Sequence, residues 1–204
     1  MGEIIKFQTT DKEDIFDLGR GMGKNIPRAL LKNAATPIFI LVNGDHRCGK
    51  SIIADALRGA LFTGAARMSG AKASAQHWNG MCGGQMLQFN FFNGNHGTYN
   101  MREMISKRSY GGVIVINNLT RKELESIYRA PAIEMNIEYF YPPELKGAYM
   151  NFNEKASGGP WNRDISMEIV DDALLEEPLF VEFLNSIRQK KESGIYSVPT
   201  PEMP

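Results

Sequence analysis

Gly44, Gly49, Lys50 and Ser51 occupy the fixed positions of the pattern Gly-x-x-x-x-Gly-Lys-Ser/Thr within the stretch Gly44-Asp45-His46-Arg47-Cys48-Gly49-Lys50-Ser51. This is the P-loop spacing, and each fixed residue has a physical task in holding phosphate. Glycine lets the backbone curl until successive amide N–H groups point inward at anionic oxygens, and a helix opening at Lys50 adds the positive end of its dipole. Lys50 is expected to reach the β and γ phosphates of a nucleoside triphosphate and is the expected catalytic residue. The Ser51 hydroxyl is the expected ligand of Mg²⁺. The variable positions Asp45, His46, Arg47 and Cys48, with Gly44, Gly49 and the following Ile52, complete the expected nucleotide-binding set. The variable positions are expected to offer backbone amides, so neither His46 nor Cys48 is assigned redox or catalytic chemistry. ATP is the expected nucleotide, its base left open because base contacts come from scattered residues.

Such a loop needs a strand before it and a helix after it. Pro37-Ile-Phe-Ile-Leu-Val42 is a continuous apolar run, as expected of a central strand covered on both faces. From Lys50 to Phe62 the sequence has helical periodicity and good helix formers, interrupted only by Gly59. Ahead of these, Ile4 to Gln8 predicts a short strand, and Thr10-Asp11-Lys12-Glu13 has the spacing of a capping box. A helix is therefore expected to start near Asp11, carry Ile15, Leu18 and Met22 on one face, and end at Gly21, Gly23 and Pro27. Gln85 to Phe92 and Gly112 to Ile116 read as strands, with a short helix from Met101 to Lys107 between them and another from Arg121 to Tyr128. Ile133, Met135, Ile137 and Tyr139 alternate with Glu134, Asn136, Glu138 and Phe140, and Ile165, Met167 and Ile169 repeat the pattern, predicting strands with one wetter face.

Asp171 to Lys191 predicts a final amphipathic helix restarted at Pro178, with Leu179, Phe180, Phe183, Leu184 and Ile187 on its buried side. Thr63 to Gly84 has glycine and serine but no period and is expected to be irregular and mobile; Tyr141 to Asn162 reads as a long connection. The expected fold is α/β: a P-loop NTPase-type central sheet, mixed in direction and flanked by helices as a three-layer sandwich. One nucleotide-binding domain is expected over 1–191, with a disordered proline-rich tail over 192–204.

The remaining composition narrows the classes. Lysine plus arginine equals aspartate plus glutamate at 23 each, so no overall electrostatic footprint for nucleic acid or an anionic membrane is expected. Two cysteines, Cys48 and Cys82, are too few for a disulfide framework. No basic segment followed by an apolar stretch opens the chain, and no run approaches the roughly 20 apolar residues that span a bilayer. A cytoplasmic protein without membrane contact is the expectation. Gly2 lacks the Ser or Thr at position 6 of a myristoylation pattern, where Lys6 stands. His77 and His96 have no second ligand at metal spacing, and Trp78 and Trp161 are read as packing residues of their loops.

With the loop placed after an opening strand and helix, the order of elements resembles the TsaE (YjeE) family, the small ATPases of bacterial tRNA threonylcarbamoyladenosine synthesis. Phe7-Gln-Thr-Thr-Asp-Lys-Glu-Asp-Ile-Phe-Asp-Leu-Gly19 is similar to that family's Thr/Ser-Glu-Glu-x-Thr-x-x-Leu-Gly opening, and Val42-Asn-Gly-Asp-His-Arg-Cys-Gly-Lys-Ser51 to its Gly-Asp-Leu-Gly-Ala-Gly-Lys-Thr loop, Asp45 being shared. Gln88-Phe-Asn-Phe-Phe92 stands where the family has His-Phe-Asp-Leu-Tyr, and Gly112-Val-Ile-Val-Ile-Asn117 where it has an apolar strand ending in Ile-Glu-Trp. The resemblance implies two magnesium-side acids, and here Asn90 and Asn117 replace them. The family's Ser-Pro-Thr switch is not recognisable in Ser69 to Ala75. An amide carries no charge and is no general base, so hydrolysis is expected to be slow or absent. The other reading of Asn117-Asn118 is a strand-ending turn, with the acid elsewhere among Asp55, Glu134 and Glu138.

Three functions follow as expectations. The first is a TsaE-like ATPase or ATP-binding subunit that works with a protein partner and meets tRNA only indirectly; phosphate capture would order the segment from Thr63 to Gly84. The second is a small-molecule or nucleotide kinase with Arg102, Lys107 and Arg108 as lid cations, set against a solvated helix face for the same three residues. The third is a nucleotide-sensing module that has lost hydrolysis.

Overall fold

A computed structural model of the chain describes residues 3–9, 11–32, 36–45, 47–72, 75–94, 102, 103, 106, 110–139 and 163–192. The strands are β1 (Glu3–Thr9), β2 (Ile38–Gly44), β3 (Arg67–Lys72), β4 (Ala75–Cys82), β5 (Gln85–Asn93), β6 (Gly112–Asn117), β7 (Ile133–Tyr139) and β8 (Arg163–Ile169). The helices whose bounds lie among the described residues are α1 (Lys12–Asn25), α2 (Arg28–Leu31), α3 (Lys50–Leu61), α4 (Arg121–Ile127), α5 (Asp172–Leu175) and α6 (Pro178–Glu192). Among the described residues these eight strands join one sheet in the order β1-β8-β7-β2-β6-β5-β4-β3. The middle four, β7, β2, β6 and β5, are parallel, while β8 and β1 on one side and β4 and β3 on the other run antiparallel to their neighbours. The sheet is thus mixed and lies between helical layers, the α/β three-layer architecture expected from the sequence.

Burial explains the two kinds of strand pattern. Ile38 to Val42 and Val113 to Ile116 are at most 3% exposed, because β2 and β6 are covered on both faces. On the first face, Ile40, Val42, Val113, Val115, Met135 and Met167 join a core with Ile15, Met22, Ile53, Leu57 and Phe180 from α1, α3 and α6. On the second, Phe39, Leu41, Ile114 and Ile116 pack with Leu119 and with Leu124 of α4. Farther out the second face is wet, so β7 and β8 alternate, with Ile133, Met135, Ile137, Ile165, Met167 and Ile169 inward and acidic, amide or hydroxyl residues between them. There Arg121 bridges Glu134 and Glu168 at 2.6 Å each, all three side chains about 30% exposed. At that exposure each pair stabilises by about 1 kcal/mol at most.

Asp11 starts α1, its carboxylate accepting from the Glu13 amide at 2.9 Å, where the sequence placed the start. The end differs from expectation: the helix runs through Gly21 and Gly23 to Asn25. The reason is its packing on α3. A Cβ on Gly19 would lie 2.5 Å from the Ile53 carbonyl oxygen, and one on Gly23 would lie 2.4 Å from that of Leu57 and 2.9 Å from the Ala60 Cβ. The glycines, four residues apart on one helical face, set the approach of two helices and do not terminate one. Gly23→Val should therefore destabilise the protein by about 3 kcal/mol, because overpacking against a backbone outweighs the roughly 1 kcal/mol that loss of a helical glycine returns. Urea unfolding would read it; an unchanged midpoint would remove the close-packing argument.

The segment from Thr63 to Gly84, expected to be irregular, is mostly strand. It holds β3 and β4, hydrogen-bonded in sequence to β5, and Gly83 and Gly84 form the two-residue turn between β4 and β5 with φ of +56° and +79°. The alternation was hidden for two reasons. A register shift interrupts β3 between Met68 and Gly70, and Gly80 takes an inward position because a Cβ there would lie 2.6 Å from the Phe62 ring. The signal that could have found the hairpin is the Gly-Gly pair, the pattern for a turn with positive φ at both centres. Trp78 is buried, with Arg58 4.9 Å above its ring and Phe89 edge-on at 5.9 Å, so it packs a sheet and not a loop.

α5 and α6 are separate, with Pro178 opening the second as expected. Leu179, expected on the buried side, is 66% exposed, since it lies off the stripe of Phe180, Leu184 and Ile187. Within the expected helix from Met101 to Lys107, residues 102, 103 and 106 are helical and the rest lie outside the described residues. Also outside them are His46, His96, Lys107, Arg108, the connection 141–162 with Trp161, and the tail 193–204.

Candidate phosphate-binding site

β2 ends on Gly44 with φ +129°, and a Cβ there would stand 1.9 Å from the Ile137 carbonyl oxygen of β7. Only glycine lets the chain leave the sheet at this point. Asp45 then fixes the exit: its N–H donates to that Ile137 oxygen at 3.1 Å, and its Oδ2 accepts from the Tyr139 N–H at 2.8 Å. Arg47 (φ +61°) and Gly49 (φ +117°) continue the curl, and Gly49 directly precedes α3 with no side-chain cap. The Ile52 N–H already donates to the Gly49 carbonyl at 2.9 Å, so the amides of Lys50 and Ser51 are the ones the helix itself cannot satisfy, and they carry the positive end of its dipole.

Lys50 folds back over this curl. Its Nζ donates to the Gly44 carbonyl at 2.8 Å and to the Asp45 carbonyl at 2.5 Å, with Cys48 Sγ 3.8 Å away. Ser51, the second residue of α3, is exposed, Ile52 is half-buried against the core, and Arg47 is exposed. Cys48 is fully buried. Burial pushes its thiol above the ordinary value, while Lys50 and Arg163 pull the other way. A neutral buried thiol is no nucleophile, in keeping with the backbone role expected of this position.

The strand ends hold the other half of the site. β6 alternates, Val113 and Val115 facing α3 and Ile114 and Ile116 facing α4, so Asn117 continues the row that faces α3 and the loop. It is 9% exposed, and its Oδ1 is buried without a hydrogen-bond partner. Asn90 does not join it. In β5, Leu87 and Phe89 share the face of α3, which puts Asn90 on the opposite face, where its Oδ1 meets His77 Nδ1. The β5 residue on the loop's face is Asn93, register partner of Asn117 and acceptor of the Asn118 amide at 3.2 Å. Asn118 has φ +55°, and Asn43 at the end of β2 pairs through its side-chain amide with both N–H and C=O of Leu119. The strand-ending turn is therefore real, and Asn117 also faces the loop.

The alternative acids stand elsewhere. Asp55 is an exposed partner of Arg58 on α3, Glu134 is engaged by Arg121, and Glu138 lies on the second face beyond it. Among the described residues no three His, Cys, Asp or Glu side chains gather to hold a metal. Arg102, the described member of the three possible lid cations, is exposed.

Sequence reading missed Tyr139 and Arg163. Arg163 is 3% exposed, donates from Nε to the Cys48 carbonyl at 3.1 Å, and lies with its guanidinium 3.9 Å from the Tyr139 ring centre. A signal was present: Arg163 is in phase with Ile165, Met167 and Ile169, a cation on the core-facing side of an alternating strand. Together the loop offers a glycine-permitted curl, an ammonium and a helix N-terminus, the means to hold a polyphosphate anion, while the N–H groups of Asp45 and Cys48 are already engaged by the Ile137 and Asp45 carbonyls. No strand-end carboxylate accompanies them among the described residues.

No family model and no curated protein matches the chain. Among solved structures it is similar to a crystal structure of Bacillus subtilis YdiB, at 12% sequence identity and a TM-score of 0.49, with 92% of this chain and 98% of that one covered. A likeness at that level assigns neither a family nor an activity. No helix among the described residues is long and apolar enough to cross a membrane.

Proposed function

We propose that the chain binds the polyphosphate of a nucleoside triphosphate, ATP as the first choice, in the loop from Gly44 to Ile52, and hydrolyses it slowly or not at all. The observation that carries this reading is the Lys50 ammonium held inside a glycine-permitted curl at the open N-terminus of α3. In this role Lys50 exchanges two neutral carbonyls for the β and γ phosphates, the stronger charge-assisted partners. The loop amides supply the remaining donors, and the side chains of Asp45 and Cys48 shape the backbone.

Mg²⁺ fits the residues present under one condition. Ser51 Oγ and the unpartnered Asn117 Oδ1 are both neutral oxygens, so the cation would arrive with the nucleotide, whose phosphates supply the negative charge. When bound it would neutralise phosphate charge; Ser51 and Asn117 would hold it or its waters. With Asn93 and Asn117 where a base would stand, activation of water is unsupported, because an amide accepts hydrogen bonds without taking a proton. Slow turnover suits a subunit that reports nucleotide state to a protein partner. The resemblance to the TsaE family in the opening motif and the loop supports such a partner, with tRNA modification as the process and tRNA met only indirectly.

Calorimetric titration with Mg-ATP, paired with a phosphate-release assay, tests both halves. The expected result is saturable binding with little phosphate released. Asn117→Asp keeps the side-chain volume and adds the charge, and should raise turnover by about 100-fold or more, the low end of what a positioned acid or base supplies. Absence of binding removes the proposal; rapid hydrolysis by the unaltered chain, or phosphoryl transfer to a metabolite, removes the slow-turnover part.

A further inference from the structure

We propose that Arg163 is a positioning residue for the phosphate loop, acting through the Cys48 carbonyl to aim the Gly49 amide into the curl. The inference rests on the binding reading above and deepens it. The Cys48 carbonyl and the Gly49 N–H belong to one planar trans peptide unit, in which they point in opposite directions. Arg163 Nε donates to the Cys48 oxygen at 3.1 Å from the buried side of the loop. Holding that oxygen toward the core turns the Gly49 N–H away from it, toward the open side where the ammonium of Lys50 lies. Without the clamp this peptide is free to rotate, since Gly49, at φ +117°, is the most permissive residue beside it.

The clamp is itself held. The guanidinium lies 3.9 Å from the centre of the Tyr139 ring, and the backbone N–H of Tyr139 donates to Asp45 Oδ2. Tyr139 ends β7 and Arg163 opens β8, register partners in the sheet, so both grips on the loop come from one rung. Packing alone accounts poorly for an arginine in this place. A buried guanidinium carries a desolvation penalty of several kcal/mol, and the apolar series Ile165, Met167 and Ile169 predicts an aliphatic residue at position 163. The Cys48 carbonyl is the group that needs a donor, and a planar, permanently charged side chain that also stacks is the one able to give it.

The test uses the full chain with Arg163→Met, which keeps an apolar stem without donors, and Arg163→Lys, which keeps a charge and a donor but loses the planar stack. Amide NMR of the nucleotide-free protein reads the Gly49 and Lys50 signals, and calorimetry reads Mg-ATP and Mg-ADP affinity. In Arg163→Met the Gly49 signal should broaden or shift and both nucleotides should bind about tenfold more weakly, as loss of a hydrogen bond to a charged group predicts. Arg163→Lys should recover most of that loss. A folded methionine variant with unchanged Gly49 signal and affinities overturns the proposal, and so does a loss confined to ATP, which would indicate direct contact with the γ phosphate. If the methionine variant does not fold, Tyr139→Leu in the same assays removes the stack alone; unchanged amide signals and affinities there overturn the clamp. If the unaltered chain binds no nucleotide, the binding reading fails while the Gly49 signal still decides the role of Arg163.

Discussion

Lys50→Ala should weaken Mg-ATP binding by at least about 100-fold and leave folding stability almost unchanged. The two effects separate because Lys50 has different partners in each state. In the free protein its Nζ bonds the Gly44 and Asp45 carbonyls, both in a loop that water reaches. Removing the ammonium returns those carbonyls to solvent, a change of about 1 kcal/mol or less. With a triphosphate bound, the same group would make two charge-assisted contacts worth about 1.5–3 kcal/mol each, and about 2.7 kcal/mol is already 100-fold in affinity. Calorimetry and urea unfolding on the same preparations would give both numbers. Affinity within about threefold of the unaltered chain, with the fold intact, would end the assignment of this loop to phosphate.

Gly44→Ala is expected to have the second largest effect, for a steric reason instead of a chemical one. The new Cβ would meet the Ile137 carbonyl oxygen at 1.9 Å, and φ +129° lies where L side chains are strained by about 1–3 kcal/mol. Neither atom is the end of a flexible side chain, so the loop must leave β7 and give up the Asp45 N–H bond to Ile137. The expectation is a melting temperature lower by several degrees, with a destabilisation of about 3 kcal/mol, and nucleotide binding weakened by more than about tenfold. A variant that melts and binds like the parent would mean that the loop tolerates another path out of the sheet.

The two substitutions differ in how far each residue could be read without the fold. Lys50 and Gly44 stand out in sequence because the P-loop chemistry is local: one strand, one turn and one helix start, all within about a dozen neighbouring residues. The covered strands β2 and β6 and the half-wet strands β7 and β8 were legible for the same reason, since burial on one face or two imprints a period on the side chains. β3 and β4 were not legible. Their membership of the sheet comes from backbone pairing, β4 to β5 and β3 to β4, and a register shift in β3 together with an inward glycine in β4 erases the period. Gly21 and Gly23 of α1 were misread as terminators because only the helices packed across them, α6 through Phe183 and α3 through Leu57 and Ala60, reveal what a Cβ would strike.

The site divides along the same line. Sequence alone determined that Gly44 to Ser51 carries the P-loop spacing and that an amide, Asn117, ends the strand β6. Only the tertiary structure decided that Asn90 faces away from the loop while Asn93 and Asn117 face it, because a strand's two faces are distinguished by what packs on them. Only the tertiary structure brought Arg163, 115 residues away in sequence, to the Cys48 carbonyl. A P-loop's residues are chosen by local backbone geometry, and that is written in adjacent letters. The groups that hold the loop in shape are chosen by which strands lie next to β2, and that order is a property of the folded sheet.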